Sequence, residues 1–321
     1  MKKSTKICLI IALAMVIFGG SLFAAAMSIN KWDWTTLSSD DFVTNTYEVK
    51  EEFSRISINT DTADIKILPS SDNSCRVVCL EKEKEQHLVS VADGELIINL
   101  NNTRAWYDYI SIVNVSPVIT VYLPAGEYGK LCIKESTGDV EISKDLAFEN
   151  IEIKTTTGDV DCGAATRGEL SITAGTGDIF IQNISAEKIN ISVISGRVEA
   201  FDVSCTGDLR INVNTGKTKL TRLKVGSLHS NGTTGDIALT SVIVAGKIDI
   251  CRDTGDVKFE HSDASDIYVR TDTGDVGGTL LSGKMFSVHS GTGVERVPMC
   301  NSGGICDVKS STGDIIFEIV N

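Results

Sequence analysis

The residues best suited to chemistry sit in a phrase that recurs along the chain. Thr-Gly-Asp followed by Val or Ile stands at 137–140, 157–160, 176–179, 234–237, 254–257, 273–276 and 312–315. Ser195-Gly196-Arg197-Val198, Thr215-Gly216-Lys217-Thr218 and Thr292-Gly293-Val294 are variants of it. Asp253-Thr254-Gly255 and Asp272-Thr273-Gly274 even spell the triplet of aspartic proteases. Such a protease needs two carboxylates close enough to share a proton. Here the two copies lie 19 residues apart and fall on the repeat, so they are successive repeats and not facing lobes. The four histidines, His87, His229, His261 and His289, belong to different repeats and read as surface residues. There is no Ser-His-Asp set, no phosphate loop and no zinc spacing, and no cofactor is expected. The chain reads as non-catalytic.

The remaining chemistry open to these aspartates is cation binding. If the repeats stack, Asp139, Asp159 and Asp178 form one row, and Asp236, Asp256 and Asp275 a second, with Arg197 and Lys217 between them. Unit charges ~4.8 Å apart repel by about 1 kcal/mol even in water, and carboxylate oxygens suit calcium. The glycine-rich nonapeptide of calcium β-rolls is absent. A purely structural role therefore competes: glycine reaches positive φ at a tight corner, Asp bonds its own turn backbone, and Thr suits the strand that enters.

The elements that must position these residues follow from the period. Gly138, Gly158, Gly177, Gly196, Gly216, Gly235, Gly255, Gly274, Gly293 and Gly313 are separated by 20, 19, 19, 20, 19, 20, 19, 19 and 20 residues. Aliphatics stand seven and five before the glycine (Leu131 and Ile133, Ile151 and Ile153, Ile248 and Ile250) and two and four after it (Val140 and Ile142, Ile237 and Leu239). Polar residues alternate with them, which describes strands buried on one face. Two short strands per repeat, bent at the Thr-Gly-Asp corner, predict coils of about 20 residues stacked ~4.8 Å apart. The fold class is all-β: a single-stranded β-solenoid, or β-helix, behind an N-terminal transmembrane helix.

Residues 1–6 carry three lysines, and 7–29 carry no charge. Twenty-three apolar positions can cross ~30 Å of hydrocarbon. Basic residues ahead of the span leave 1–6 as a cytoplasmic tail and put the body outside. Ala24-Ala25-Ala26 also offers a signal-peptidase site, so 7–29 is a membrane anchor or a cleaved signal, and the body is membrane-bound or secreted. Residues 30–46 read as a linker. Residues 47–130 read as irregular first coils. In them Ala63 takes the glycine place, Glu81–Gln86 is a solvated turn and Asp93-Gly94 closes a hairpin. The loop bearing Trp106, Tyr107 and Tyr109 is either a contact surface or a cover for the open end of the stack. Residues 131–321 are the regular array.

Composition narrows the partners. The formal charge is −13, and without Lys2, Lys3 and Lys6 the remainder carries −16. An acidic body argues against nucleic acid and against adhesion to anionic lipid. Nine cysteines, an odd number without metal spacing, read as thiols used as small hydrophobes.

The membrane segment, the strand Ile119-Thr120-Val121-Tyr122-Leu123-Pro124 and the repeated corners together resemble the putative-adhesin β-strand-repeat family. This bacterial family of unknown function includes Lia-type proteins of envelope-stress operons. The resemblance spans roughly residues 50–321 and implies an envelope protein without catalytic residues. Partners implied are the membrane, through the N-terminal segment, and an envelope protein or cell-wall glycan. Self-association into an end-to-end structural polymer and an accessory role in envelope-stress signalling are the alternatives. Glycan cleavage has the least behind it.

Overall fold

A computed structural model describes residues 3–29, 42–102 and 116–320. Helix α1 (Lys3–Ile29) is long and apolar enough to cross a membrane, with a mean hydropathy of 2.4 over Leu9–Ile29. The rest is strand. Phe42–Val49 already forms β1, so regular structure starts inside the stretch read as linker.

The repeats form coils whose strands pair in parallel and in register. Ile151 lies between Leu131 and Leu170, and Val160 between Val140 and Ile179. The alternating aliphatics point inward and make one continuous buried cluster from Ile56 to Phe317. Each coil also has a third side that the two-strand reading left out. Short segments such as Ala165–Thr166, Ser185–Ala186 and the start of Ser204–Thr215 pair along it. They bury Ile184, Ala186, Val203, Cys205, Leu223 and Val225. The cross-section is therefore triangular. A second corner is marked by Asn183, Asp202, Arg222 and Ser241, all at φ between 53° and 56°.

The Thr-Gly-Asp corner is a point of backbone contact between coils. Nine of its ten glycines have φ between 131° and 154°. A Cβ on Gly216 would lie 1.8 Å from the carbonyl oxygen of Gly196, and one on Gly158 1.8 Å from that of Gly138. The corner amides from Gly138 to Gly274 then donate to the next coil, as Gly158 N–H does to Thr176 O at 2.9 Å. Ala63 fills this place in its own coil, where its carbonyl oxygen is the one on which Gly138 rests.

Chain order and stacking order differ at both ends. Four strands form the early coils: β2 (Arg55–Asn59), β3 (Asp64–Pro69), β6 (Glu95–Asn102) and β7 (Val118–Leu123). Ile56 pairs with Leu96 on one side and Leu131 on the other; Ile65 pairs with Ile119 and Val140. The β6–β7 coil thus lies outside the earlier β2–β3 coil. Two further strands, β4 (Cys75–Lys82) and β5 (Glu85–Ala92), run antiparallel to β7 and β6 and cover that end, with β1 antiparallel to β4. At the far end the last coil, Gly304–Ile319, inserts between its two predecessors. Cys306 pairs with Ile267 and Phe286, and Gly313 stacks on Gly274 while Gly293 stacks on Gly313.

A methyl group at a mid-stack corner has nowhere to go. Gly216→Ala is expected to destabilise the body by about 3 kcal/mol or more. The measurement is the midpoint of denaturant unfolding followed by circular dichroism; an unchanged midpoint would show that coil spacing is set elsewhere.

Candidate functional site

Two places on this frame collect chemistry, and both lie along the Thr-Gly-Asp edge. The first is the edge itself. The aspartates do stack, in rows longer than the sequence suggested: Asp64, Asp139, Asp159 and Asp178, then Asp236, Asp256, Asp275 and Asp314. Their carboxylates do not bond their own turns. Asp159 N–H donates to Asp139 Oδ1 at 2.8 Å, Asp178 N–H to Asp159 Oδ1 at 2.7 Å, and Arg197 N–H to Asp178 Oδ1 at 2.7 Å. The second row repeats this from Asp236 to Asp314 and ends with Val294 N–H on Asp314 Oδ1. Each aspartate is thus a rung between coils. A charge-assisted bond of this type is worth ~1.5–3 kcal/mol, enough to offset the repulsion between neighbouring rungs. Lys217 Nζ also meets Asp236 Oδ2 at 3.1 Å, which together with the Asp256 N–H holds that carboxyl below its usual range. An open groove of about 400 Å³ follows the second row, bordered by Asp256, Asp275, Asp314, Lys258 and Glu318.

The second place is the capped end. Here β4 and β5 round the same corner in the opposite direction, joined through Lys82 and Glu85. Glu81 was read as part of a solvated turn and His87 as a surface residue. Both readings are corrected by the structure: Glu81 is 0% and His87 1% exposed. The inward alternation Cys75, Val77, Cys79, Glu81 continues to the last turn of β4, so its final slot lies inside. Glu81 Oε1 accepts from Asn45 Nδ2, Oε2 accepts from the His87 backbone N–H, and His87 Nδ1 lies against the same Oε2, all at 2.7 Å. His87 Nε2 meets Thr60 Oγ1 at 2.9 Å. Cys79 completes the group: its sulfur, a Glu81 oxygen and a His87 ring nitrogen lie within 4.8 Å of one another. Burial pushes the Cys79 thiol up to about 12, and the Glu81 charge adds to the rise. Thr60, His87 and Glu81 have the order of a nucleophile–base–acid relay. Thr60 is only 7% exposed, and its contact with His87 ties the cap to the body.

Three residues before each corner lies one column: Thr60, Glu135, Thr155, Ala174, Val193, Val213, Gly232, Arg252, Thr271, Ser290 and Ser310. Two of its members went unmarked in the sequence reading. Glu135 is buried, and neither carboxylate oxygen makes a well-formed hydrogen bond. Burial pushes its carboxyl up to about 8; the nearby Thr155 hydroxyl works against the rise, and Asp64 and Asp139 add to it. Arg252 is 2% exposed and lies over Gly232, where any Cβ would strike its guanidinium. It donates to Val213 O, Thr218 Oγ1 and Ser230 Oγ at 3.1–3.3 Å, and burial lowers it to about 10. The sequence carried a signal for both, a charge in an aliphatic column. For Arg252 there was also a glycine one coil earlier.

Of the other expected residues, His229 is half-buried beside Asp249, and His261 and His289 are exposed. Trp106, Tyr107 and Tyr109 lie outside the described residues. Cys75, Cys79, Cys162, Cys205 and Cys306 are buried free thiols, and Cys251 is an exposed one.

The sequence model of the Toastrack DUF4097 family matches residues 53–242. No curated protein matches the chain. Among solved structures, a putative lipid-binding protein from Parabacteroides distasonis is similar at 16% identity and TM-score 0.47, over 73% of this chain and 94% of that one. A putative adhesin from Parabacteroides merdae is similar at 12% identity and TM-score 0.46, over 88% and 97%. A putative adhesin from Parabacteroides distasonis gives 10% identity and TM-score 0.44, over 75% and 98%.

The burial of Glu135 has a pH signature. Its carboxyl binds a proton more tightly folded than unfolded, so its contribution to stability is complete below pH 4.5 and declines as pH rises toward 8. Glu135→Gln keeps a neutral side chain and escapes this decline. In urea unfolding at a series of pH values, the variant should gain on the wild type between about pH 5 and pH 8 and level off above. Parallel curves would contradict the assignment.

Proposed function

The chain belongs to the Toastrack DUF4097 family, and from that premise we propose that it is a non-catalytic, membrane-anchored β-solenoid acting outside the cytoplasm as an adhesin-like or scaffold protein of the bacterial envelope. The observation that carries this reading is the filled interior. Inward side chains on all three sides of the coil make one buried aliphatic cluster, so what the body offers a partner is its outer surface. A rod of this kind behind an apolar helix presents long faces and a charged corner edge. Cell-wall glycan or an envelope protein is the partner class that suits such a surface. The anionic body keeps the rod off nucleic acid and off anionic lipid.

The test is binding of the full chain to purified cell-wall glycan and to envelope protein fractions. Replacing Trp106, Tyr107 and Tyr109 together by alanine should weaken binding by about tenfold or more, as loss of aromatic anchors does, with unchanged thermal unfolding. Unaltered binding would remove the loop from the contact, and binding to neither class would remove the reading.

One observation favours self-association as a second reading. The strand Lys284–Ser290 pairs with Gly304–Thr312 on one side and, among the described residues, with no strand on the other. Around it Met285, Val294, Met299 and Ile305 are exposed, the pattern of an edge open to another chain. Sedimentation of the full chain in detergent should then show a concentration-dependent dimer that Met285→Glu weakens. A monomer at all concentrations would count against it.

A further inference from the structure

The group at the capped end has more donors than a structural hydrogen-bond network needs. Cys79 and Glu81 stand two apart on β4 and so face the same way, and His87 comes to them from β5 around a two-residue turn. A thiol sulfur, a carboxylate oxygen and an imidazole nitrogen then lie within 4.8 Å of one another, all buried. Ligand atoms around tetrahedral zinc stand ~3.3–3.8 Å apart, given bonds of ~2.0–2.3 Å. The present spacing brackets that range: the sulfur has at most about an ångström to close, and the 2.7 Å contact between Glu81 and His87 less than that to open. We propose that Cys79, Glu81 and His87 form a binding site for a zinc-like divalent cation that pins the cap hairpin at the end of the solenoid.

The charge balance supports this. With a neutral imidazole, a Glu81 carboxylate and a Cys79 thiolate, the ligand set carries two negative charges. A divalent ion bound by that carboxylate and the Cys79 thiolate brings the sum to zero, as a dry site requires. The thiol proton leaves to solvent. The imidazole proton moves from Nδ1, where it faces Glu81, to Nε2, where Thr60 Oγ1 lies 2.9 Å away to accept it. Thr60 is thus a positioning residue, fixing the tautomer as carboxylates and carbonyls do behind many metal-bound histidines. The mixed sulfur, nitrogen and oxygen set suits zinc better than calcium or magnesium. It also separates this site from the exposed aspartate rows, which supply oxygen alone.

The experiment is calorimetric titration of the chelator-stripped full chain, in detergent, with Zn²⁺ in two buffers of different ionisation enthalpy, and with Co²⁺ followed by absorbance. Expected are one equivalent of tight metal, about one proton released per ion, and a thiolate-to-cobalt band. Cys79→Ser, which keeps the volume, should lose the band and bind at least about 100-fold more weakly. Thr60→Val should bind about 10-fold or more weakly with the band kept. Cys251→Ser, at the exposed thiol, should change nothing. The proposal is overturned if Cys79→Ser binds as tightly as the wild type, or if metal binds without proton release and without the band. Circular dichroism without metal shows which variants fold; if Thr60→Val does not, Cys79→Ser decides alone.

Discussion

The structure depends on one contact, the backbone of a corner glycine resting on the backbone of the corner before it. A Cβ there would lie within about 2 Å of a carbonyl oxygen, so the chain turns without a side chain and the coils close to hydrogen-bonding distance. Everything else inherits that spacing. The strands on either side fall into parallel register, which stacks aliphatic on aliphatic down the interior. The same register sets each aspartate beneath the amide of the next coil. A motif that looks like a repeated site is thus a repeated fastening, with glycine allowing the approach and aspartate bonding across it.

A stack of identical coils has two problems that repetition cannot solve, its ends. This chain treats them unequally. At one end the order of coils is exchanged and antiparallel strands run across the outermost one, bringing Glu81 and His87 inside. At the other the last coil is tucked between its predecessors, leaving Lys284–Ser290 as the terminal strand. Returning the chain end to the interior of the stack protects Gly304–Ile319 by pairing on both sides, at the cost of an exposed edge nearby. The capped end is polar inside and the open end is apolar outside. That asymmetry gives the rod a direction.

Charge inside the stack follows the same geometry. An interior column tolerates Arg252 because Gly232 vacates a side-chain volume beside it and three neutral acceptors surround the guanidinium. Glu135 has no such provision and stays near neutral through its raised proton affinity. Arg252 is accommodated by packing and Glu135 by protonation. The surface carries many pairs in the open, such as Arg222 with Asp202, which bring little stability singly but keep the outer faces hydrated.

Much of this was legible in the sequence, because a solenoid is a local pattern repeated. The period fixed the coil, the alternation fixed which residues point inward, and the glycines fixed the corner edge, all from residues within one or two turns of each other. What only the tertiary structure decided depends on contacts between distant segments. Leu96 beside Ile56, and Cys306 between Ile267 and Phe286, follow from which strand edge was free to pair, and no local spacing records that. The destination of the Asp carboxylate belongs here too, since a side chain that suits its own turn suits the next coil's amide equally well until the coils are stacked. So does the buried Cys79–Glu81–His87 group: the alternation along β4 and β5 shows that these residues face one way, but only the fold of the cap turns that side inward.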